Sequence, residues 1–128
     1  MVKLSKEYTY KILQCAYNVH TELGPGLLES IYEEALVYEL QSNGFEVKRQ
    51  MPVKVRYKEI VLPIEFRIDI MVDDCVIIEL KSVSEVLPIH KKQLMTYLRL
   101  TNKKLGYVIN FNEISLRDGI ERIISDIW

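Results

Sequence analysis

Cysteine is scarce in this chain of 128 residues, and the two it has, Cys15 and Cys75, have neither the paired spacing of a metal finger nor the density of a secreted scaffold. Both read as free thiols in packing positions, in a reducing, cytoplasmic setting. Histidine is equally sparse. His20 and His90 are too far apart in sequence to form a ligand motif; His20 reads as part of a helix and His90 as a helix-start or backbone-contact residue. No apolar stretch approaches the roughly 20 residues that cross a bilayer, and the opening Met1-Val-Lys-Leu-Ser-Lys-Glu7 lacks an apolar signal region. No membrane partner is expected. An excess of one charge is missing too: 17 basic residues stand against 18 acidic ones, a formal net charge of −1, so any nucleic-acid binding has to come from local patches. Repeats and low-complexity linkers are absent. What remains, 48% hydrophobic and 27% charged, suits one domain with a substantial core over residues 1–128.

Apolar residues Tyr8, Ile12, Cys15, Ala16, Val19 and Leu23 recur at three- and four-residue steps, which predicts a helix over 5–23, stopped by Gly24-Pro25-Gly26. A second helix is predicted over 27–42, carrying Leu28, Ile31, Tyr32, Ala35, Leu36 and Leu40 and ended by Asn43-Gly44. Three strands follow, over 45–57 with a bend near Pro52, over 60–72, and over 76–82. Pro52 and Pro63 lack ladder donors and belong at an edge or a bulge, and Asp73-Asp74 makes a tight hairpin turn. A helix over 89–100 leads to a strand over 105–111, so the last pairing is expected to be parallel. The tail from Ile114 to Trp128 has the spacing of a short amphipathic helix, with Gly119 near its start. The order predicts an α/β sandwich, a mixed sheet flanked by helices.

The stretch Val76-Ile-Ile-Glu79-Leu-Lys81-Ser82 is the most informative. Two charges stand in an apolar strand, and Asp69 lies on the strand before it. Period two places Glu79 and Lys81 on one face, and Arg67, Asp69 and Met71 together on the preceding strand. An unpaired buried carboxylate costs several kcal/mol, so such acids are paired or hold a metal. The plain alternative is a structural ion pair of Asp69 with Arg67 or Lys81.

Here the residues resemble a known family. Gly26-Leu-Leu-Glu29-Ser-Ile-Tyr32 matches the signature of the GxxExxY protein family, within the PD-(D/E)XK nuclease superfamily, and Asp69, Glu79-Leu-Lys81, Gln93-xxx-Tyr97 and Gly106-Tyr-Val-Ile-Asn-Phe111 follow in that family's order. The resemblance covers about Tyr8 to Ile124 and implies a restriction-endonuclease-like core.

The activity implied is metal-dependent hydrolysis of DNA phosphodiesters. Magnesium or manganese would be held by Asp69, Glu79 and the Leu80 carbonyl, with Glu29 approaching from the second helix. Lys81 either positions or deprotonates the water, or stabilises charge. Gln93 is placed beside the site by the resemblance, to orient a ligand or the scissile phosphate. Tyr97, Lys91 and Lys92 are the expected substrate contacts, and Tyr32 is expected to pack with its hydroxyl on a site carboxylate. The domain's size leaves room for a homodimer or larger assembly around a duplex. The rival reading is a non-catalytic nucleic-acid-binding or protein-interaction module on the same fold.

Overall fold

Ser5 starts the first helix by accepting the Tyr8 amide on its hydroxyl, and Gly24, at φ 71°, ends it with its own amide on the His20 carbonyl. The computed structural model describes residues 4–125. In chain order it contains α1 (Lys6–Leu23), α2 (Glu29–Ser42), β1 (Val47–Tyr57), β2 (Ile60–Val72), β3 (Val76–Lys81), α3 (Pro88–Thr101), β4 (Leu105–Asn110), a single 3-10 turn (Leu116–Gly119) and β5 (Ile120–Ile124). Each helix and strand predicted before residue 112 is present, displaced by two residues or fewer at either end. Among the described residues, no helix is long and apolar enough to cross a membrane.

The five strands form one sheet in sequence order. β1, β2 and β3 pair antiparallel as a meander; β3 and β4 pair parallel across α3; β5 returns antiparallel to β4. The hairpin connection between the registered pair Val72 and Val76 is Asp73-Asp74-Cys75, with Asp73 and Asp74 at positive φ, 51° and 55°, and the Cys75 amide on the Val72 carbonyl at 2.9 Å. Pro52 lies in the edge strand β1, and Pro63 falls where the β1–β2 register shifts.

Both faces of the sheet are covered. α1 and α2 set Ile12, Val19, Leu36 and Leu40 against Ile70, Ile78, Leu80 and Ile109, while α3 sets Leu94 and Leu98 against Ile77, Met71 and Val108. Each such side chain contributes about 1.5–3 kcal/mol by leaving water. α3 approaches β4 closely because Gly106 has no side chain: a Cβ there would lie 2.9 Å from Leu94 and 3.1 Å from the Ile77 carbonyl.

The predicted tail helix is corrected. Ile120–Ile124 is a strand, with Leu105 opposite Ile124 and Ile109 opposite Ile120. The spacing of Ile120, Ile123 and Ile124 suits either periodicity, and the open edge of β4 decides for the strand by offering its amides and carbonyls. Gly119 marks the corner, where a Cβ would run into the Asn110 carbonyl. Ile127 and Trp128, also assigned to that helix, lie outside the described residues.

Candidate active site

The β2–β3 ladder has three registered pairs, Val72 with Val76, Met71 with Ile77 and Ile70 with Ile78, and there it stops. At the next position the side chains of Asp69 and Glu79 replace the missing ladder bonds. The Asp69 amide donates to Glu79 Oε2 at 2.9 Å, and the Leu80 amide donates to Asp69 Oδ2 at 2.9 Å. Two strands that part company thus keep their backbone donors satisfied through two acids, as buried amides require.

The parting begins one strand away. The β1–β2 register skips Gln50 and Asp69, and Gln50 has φ 49°, a left-handed conformation that breaks the pleat. As a result the alternation expected along β2 fails at Asp69. Ile68 packs with Met71 and Ile77 on the α3 side, whereas Ile70 packs under α1 and α2. Arg67 does not join Asp69 either: its guanidinium donates to the Gln50 carbonyl at 2.9 Å and lies 3.7 Å from Glu65. The Asp69–Arg67 ion pair is therefore not formed.

Electrostatics make this pair of acids unusual. Glu79 is 7% exposed, and burial, followed by the neighbouring charge of Asp69, pushes its carboxyl up to about 8. The Asp69 amide and Lys81 pull the other way. Asp69 is also raised, by burial first and then by Glu33 and Glu29, against the opposing Leu80 amide and Lys81. Burial and neighbouring acids thus favour the protonated form of each carboxyl, and Lys81 opposes that shift at both.

Glu29 stands a little apart, at the first residue of α2, with Oε2 accepting the Ser82 amide at 3.3 Å. Among the described residues, no three His, Cys, Asp or Glu side chains converge as a metal-binding group. The turn that presents Glu29 is held by Tyr32. That ring is fully buried and stacked on Phe111 at 4.6 Å, and its hydroxyl donates to the Gly24 carbonyl and accepts the Leu27 amide at 3.1 Å. The hydroxyl was expected on a carboxylate; it closes the Gly24-Pro25-Gly26 turn instead, because the ring points back along α2 toward its start. Tyr32→Phe should cost about 1–2 kcal/mol by stranding both backbone groups. A melting temperature lowered by several degrees would show it; an unchanged one would mean that the turn holds without the hydroxyl.

α3 divides its side chains between the two ends of the sheet. Tyr97 stacks on Phe66 of β2 at 4.2 Å, and its hydroxyl pKa is raised by burial and then by Glu79 and Asp69. Gln93, one turn earlier on the same side, is exposed. Lys91 instead lies 3.7 Å from Glu121 of β5, and with Lys92, Met95, Thr96, Arg99 and Ile123 it lines a cleft of about 470 Å³.

Some contributors escaped the sequence reading. Glu33 accepts Arg49 Nη2 at 2.8 Å and Gln50 Nε2 at 2.6 Å, tying α2 to the kink opposite Asp69. The four-residue step from Glu29 to Glu33 was the available signal. Asn110, fully buried, accepts the Val83 amide at 3.1 Å and donates to the Val83 carbonyl at 2.9 Å, fixing the chain just beyond Lys81. Its signal was a polar residue closing an apolar strand.

A family model of the PD-(D/E)XK nuclease superfamily matches residues 6–123, from α1 into β5. No curated protein and no solved structure matches the chain significantly.

Proposed function

Since the chain belongs to the PD-(D/E)XK nuclease superfamily, whose fold its mixed sheet and flanking helices share, we propose that it is a metal-dependent nuclease acting on DNA phosphodiester bonds. The carrying observation is the reciprocal Asp69–Glu79 pair at the divergence of β2 and β3, with Lys81 two residues beyond. The Gly26-xx-Glu29-xx-Tyr32 turn supports the narrower GxxExxY assignment.

A hard divalent cation fits this donor set. Asp69 and Glu79 each use one carboxylate oxygen on a backbone amide, and burial drives both toward protonation, helped at Glu79 by the charge of Asp69 and at Asp69 by Glu33 and Glu29. The Leu80 carbonyl would join them, as in a strand it points the same way as the Leu80 amide, toward Asp69. Glu29 would complete the set by leaving Ser82. Magnesium or manganese so held would supply a polarised water and positive charge at the phosphoryl oxygens. The chain's own residues do the rest. Asp69 and Glu79 hold the mouth open, Lys81 brings a positive charge to the oxygen that becomes anionic, and Gln93 orients the phosphate through its amide. Tyr97 borders the mouth on the α3 side. Lys91 and Lys92 would touch the phosphates of a substrate long enough to cross α3 toward β5. We place the reaction in the cytoplasm, where both cysteines remain thiols, and assign a second copy of the chain as the means of gripping both strands.

Cleavage assays on single-stranded, nicked and duplex DNA, with magnesium, with manganese and with EDTA, test this reading. Cutting that needs the cation is the expected result, and a homogeneous preparation that cuts none of the three would end it. Gln93→Ala should slow cutting roughly 10- to 100-fold. Its melting temperature should not move, since Gln93 is exposed. Equal rates for mutant and parent would make Gln93 a solvated surface residue.

A further inference from the structure

β1 and β2 run on past the rest of the sheet. β3 pairs only with Ile70–Val72 of β2, so the segment from Met51 to Tyr57 and its partners from Ile60 to Ile68 form a two-stranded ribbon without a third strand. Seven residues at 3.3 Å each make it about 20 Å long. The ribbon starts at the site, for Arg67 is two residues from Asp69, and its base is clamped by the Phe66–Tyr97 stack.

Charge is concentrated there. From Met51 to Ile68 the ribbon and its turn hold four basic residues, Lys54, Arg56, Lys58 and Arg67, and two Glu, Glu59 and Glu65, in a chain of net charge −1. The register sets Lys54 across from Glu65 and Pro52 across from Arg67; beyond the register shift Arg56, exposed like Lys54 on the other side of half-buried Val55, lies across from Val61, and Lys58 follows at the turn. Glu65 is shared by Lys54 and Arg67, at 3.2 and 3.7 Å. Arg56 and Lys58 are exposed and take part in no ion pair among the described residues. At the ribbon's base, the mouth carries Glu29, Asp69 and Glu79 with Lys81, and Glu33 paired to Arg49, so acids outnumber cations there.

Resting on the nuclease reading above, we propose that this ribbon is a clasp for duplex DNA, with Arg56 and Lys58 on backbone phosphates and the ribbon following the major groove away from the site. B-form DNA admits a two-stranded β-ribbon in that groove. A second copy pairing along the ribbon is disfavoured by the same residues: Pro52, Pro63, the register shift after Lys54 and the basic side chains all spoil an edge for strand addition. Tyr57, Ile60 and Val61 leave apolar surface at the tip, where it would meet sugars and base edges.

The test is anisotropy with a duplex of about 20 bp in EDTA, so that binding is read without cutting, across roughly 50–200 mM salt. Arg56→Ala/Lys58→Ala should weaken binding about tenfold and reduce the slope of log affinity against log salt by about 2, with an unchanged melting curve. An unchanged affinity and slope overturns the clasp, as does a parent that binds no duplex. So does a parent dimer that Tyr57→Ser/Ile60→Ser dissociates while DNA binding stays as it was. A parent that binds through Arg56 and Lys58 but never cuts supports the clasp and ends the nuclease reading. A parent and a double variant that cut and bind alike leave the nuclease reading intact and overturn the clasp alone.

Discussion

Lys81→Ala should cut DNA about 10³-fold more slowly than the parent while it stays folded and still binds magnesium. The side chain sits two residues after Glu79, at the end of β3, and its charge lowers the pKa of both Glu79 and Asp69. It therefore lies within electrostatic reach of the place where a phosphoryl oxygen would gain charge. Removing one donor aimed at such an oxygen costs on the order of 10²–10³ in rate, and losing a full charge in a partly dry mouth belongs at the upper end. Folding should survive, because Lys81 is half-buried and the backbone there is held by the Phe111 amide on the Lys81 carbonyl at 2.9 Å. Single-turnover cleavage and calorimetric metal titration measure the two halves separately. Lys81→Arg divides the possible roles: a recovered rate points to charge alone, and no recovery points to proton transfer, since arginine stays protonated. Undiminished cutting by Lys81→Ala would remove the assigned role altogether.

Without divalent cations, the protein should lose stability as pH rises from about 4.5 to about 8. Glu79 has its ordinary value near 4.5 when unfolded and about 8 when folded. Between those limits the folded state keeps a proton that the unfolded chain has released. The unfolded state binds fewer protons, so the slope of unfolding free energy against pH is negative, up to about 1.4 kcal/mol per unit. Below this window the two states carry the same proton; above it the loss is complete. Asp69, also raised, adds to the slope. Glu79→Gln should flatten the curve and be more stable than the parent at pH 8, for its amide oxygen still accepts the Asp69 amide. Asp69→Asn should likewise be at least as stable as the parent, with its oxygen on the Leu80 amide. Magnesium should raise parent stability by about 1–3 kcal/mol well above its dissociation constant, more at pH 8 than at pH 5, and should do little for Asp69→Asn. Denaturation in EDTA and in magnesium at several pH values decides the matter. A parent curve that rises toward pH 8, with Asp69→Asn strongly destabilised in EDTA and no response to magnesium, would make Asp69 half of a structural ion pair.

The elements before residue 112 were legible because their signals are local. Ser5 and Gly24 cap α1, Asp73-Asp74 takes the positive φ of a tight turn, and Pro52 and Pro63 sit at the edge and the register shift. The tail was not legible. Ile120, Ile123 and Ile124 satisfy two periodicities at once, and only the unfilled edge of β4 chooses between them. The direction of Arg67 was equally hidden, since simple alternation carries it to Asp69 and a left-handed Gln50 on another strand turns it away.

By itself the sequence determined the order of helices and strands, the mixed pairing of β2, β3 and β4, and the presence of acids where a core strand tolerates none. These follow from periodicity, turn chemistry and the cost of burying charge, each of which acts over a few neighbouring residues. Only the tertiary structure decided that Asp69 and Glu79 bond each other's backbone at a parting of strands, that Tyr32 holds a turn, that α3 sends Tyr97 toward β2 and Lys91 toward β5, and that β1 and β2 project as a basic ribbon. Each is a choice of partner across tens of residues of chain. That choice is made by which donors, edges and charges are left unsatisfied once the sheet has closed.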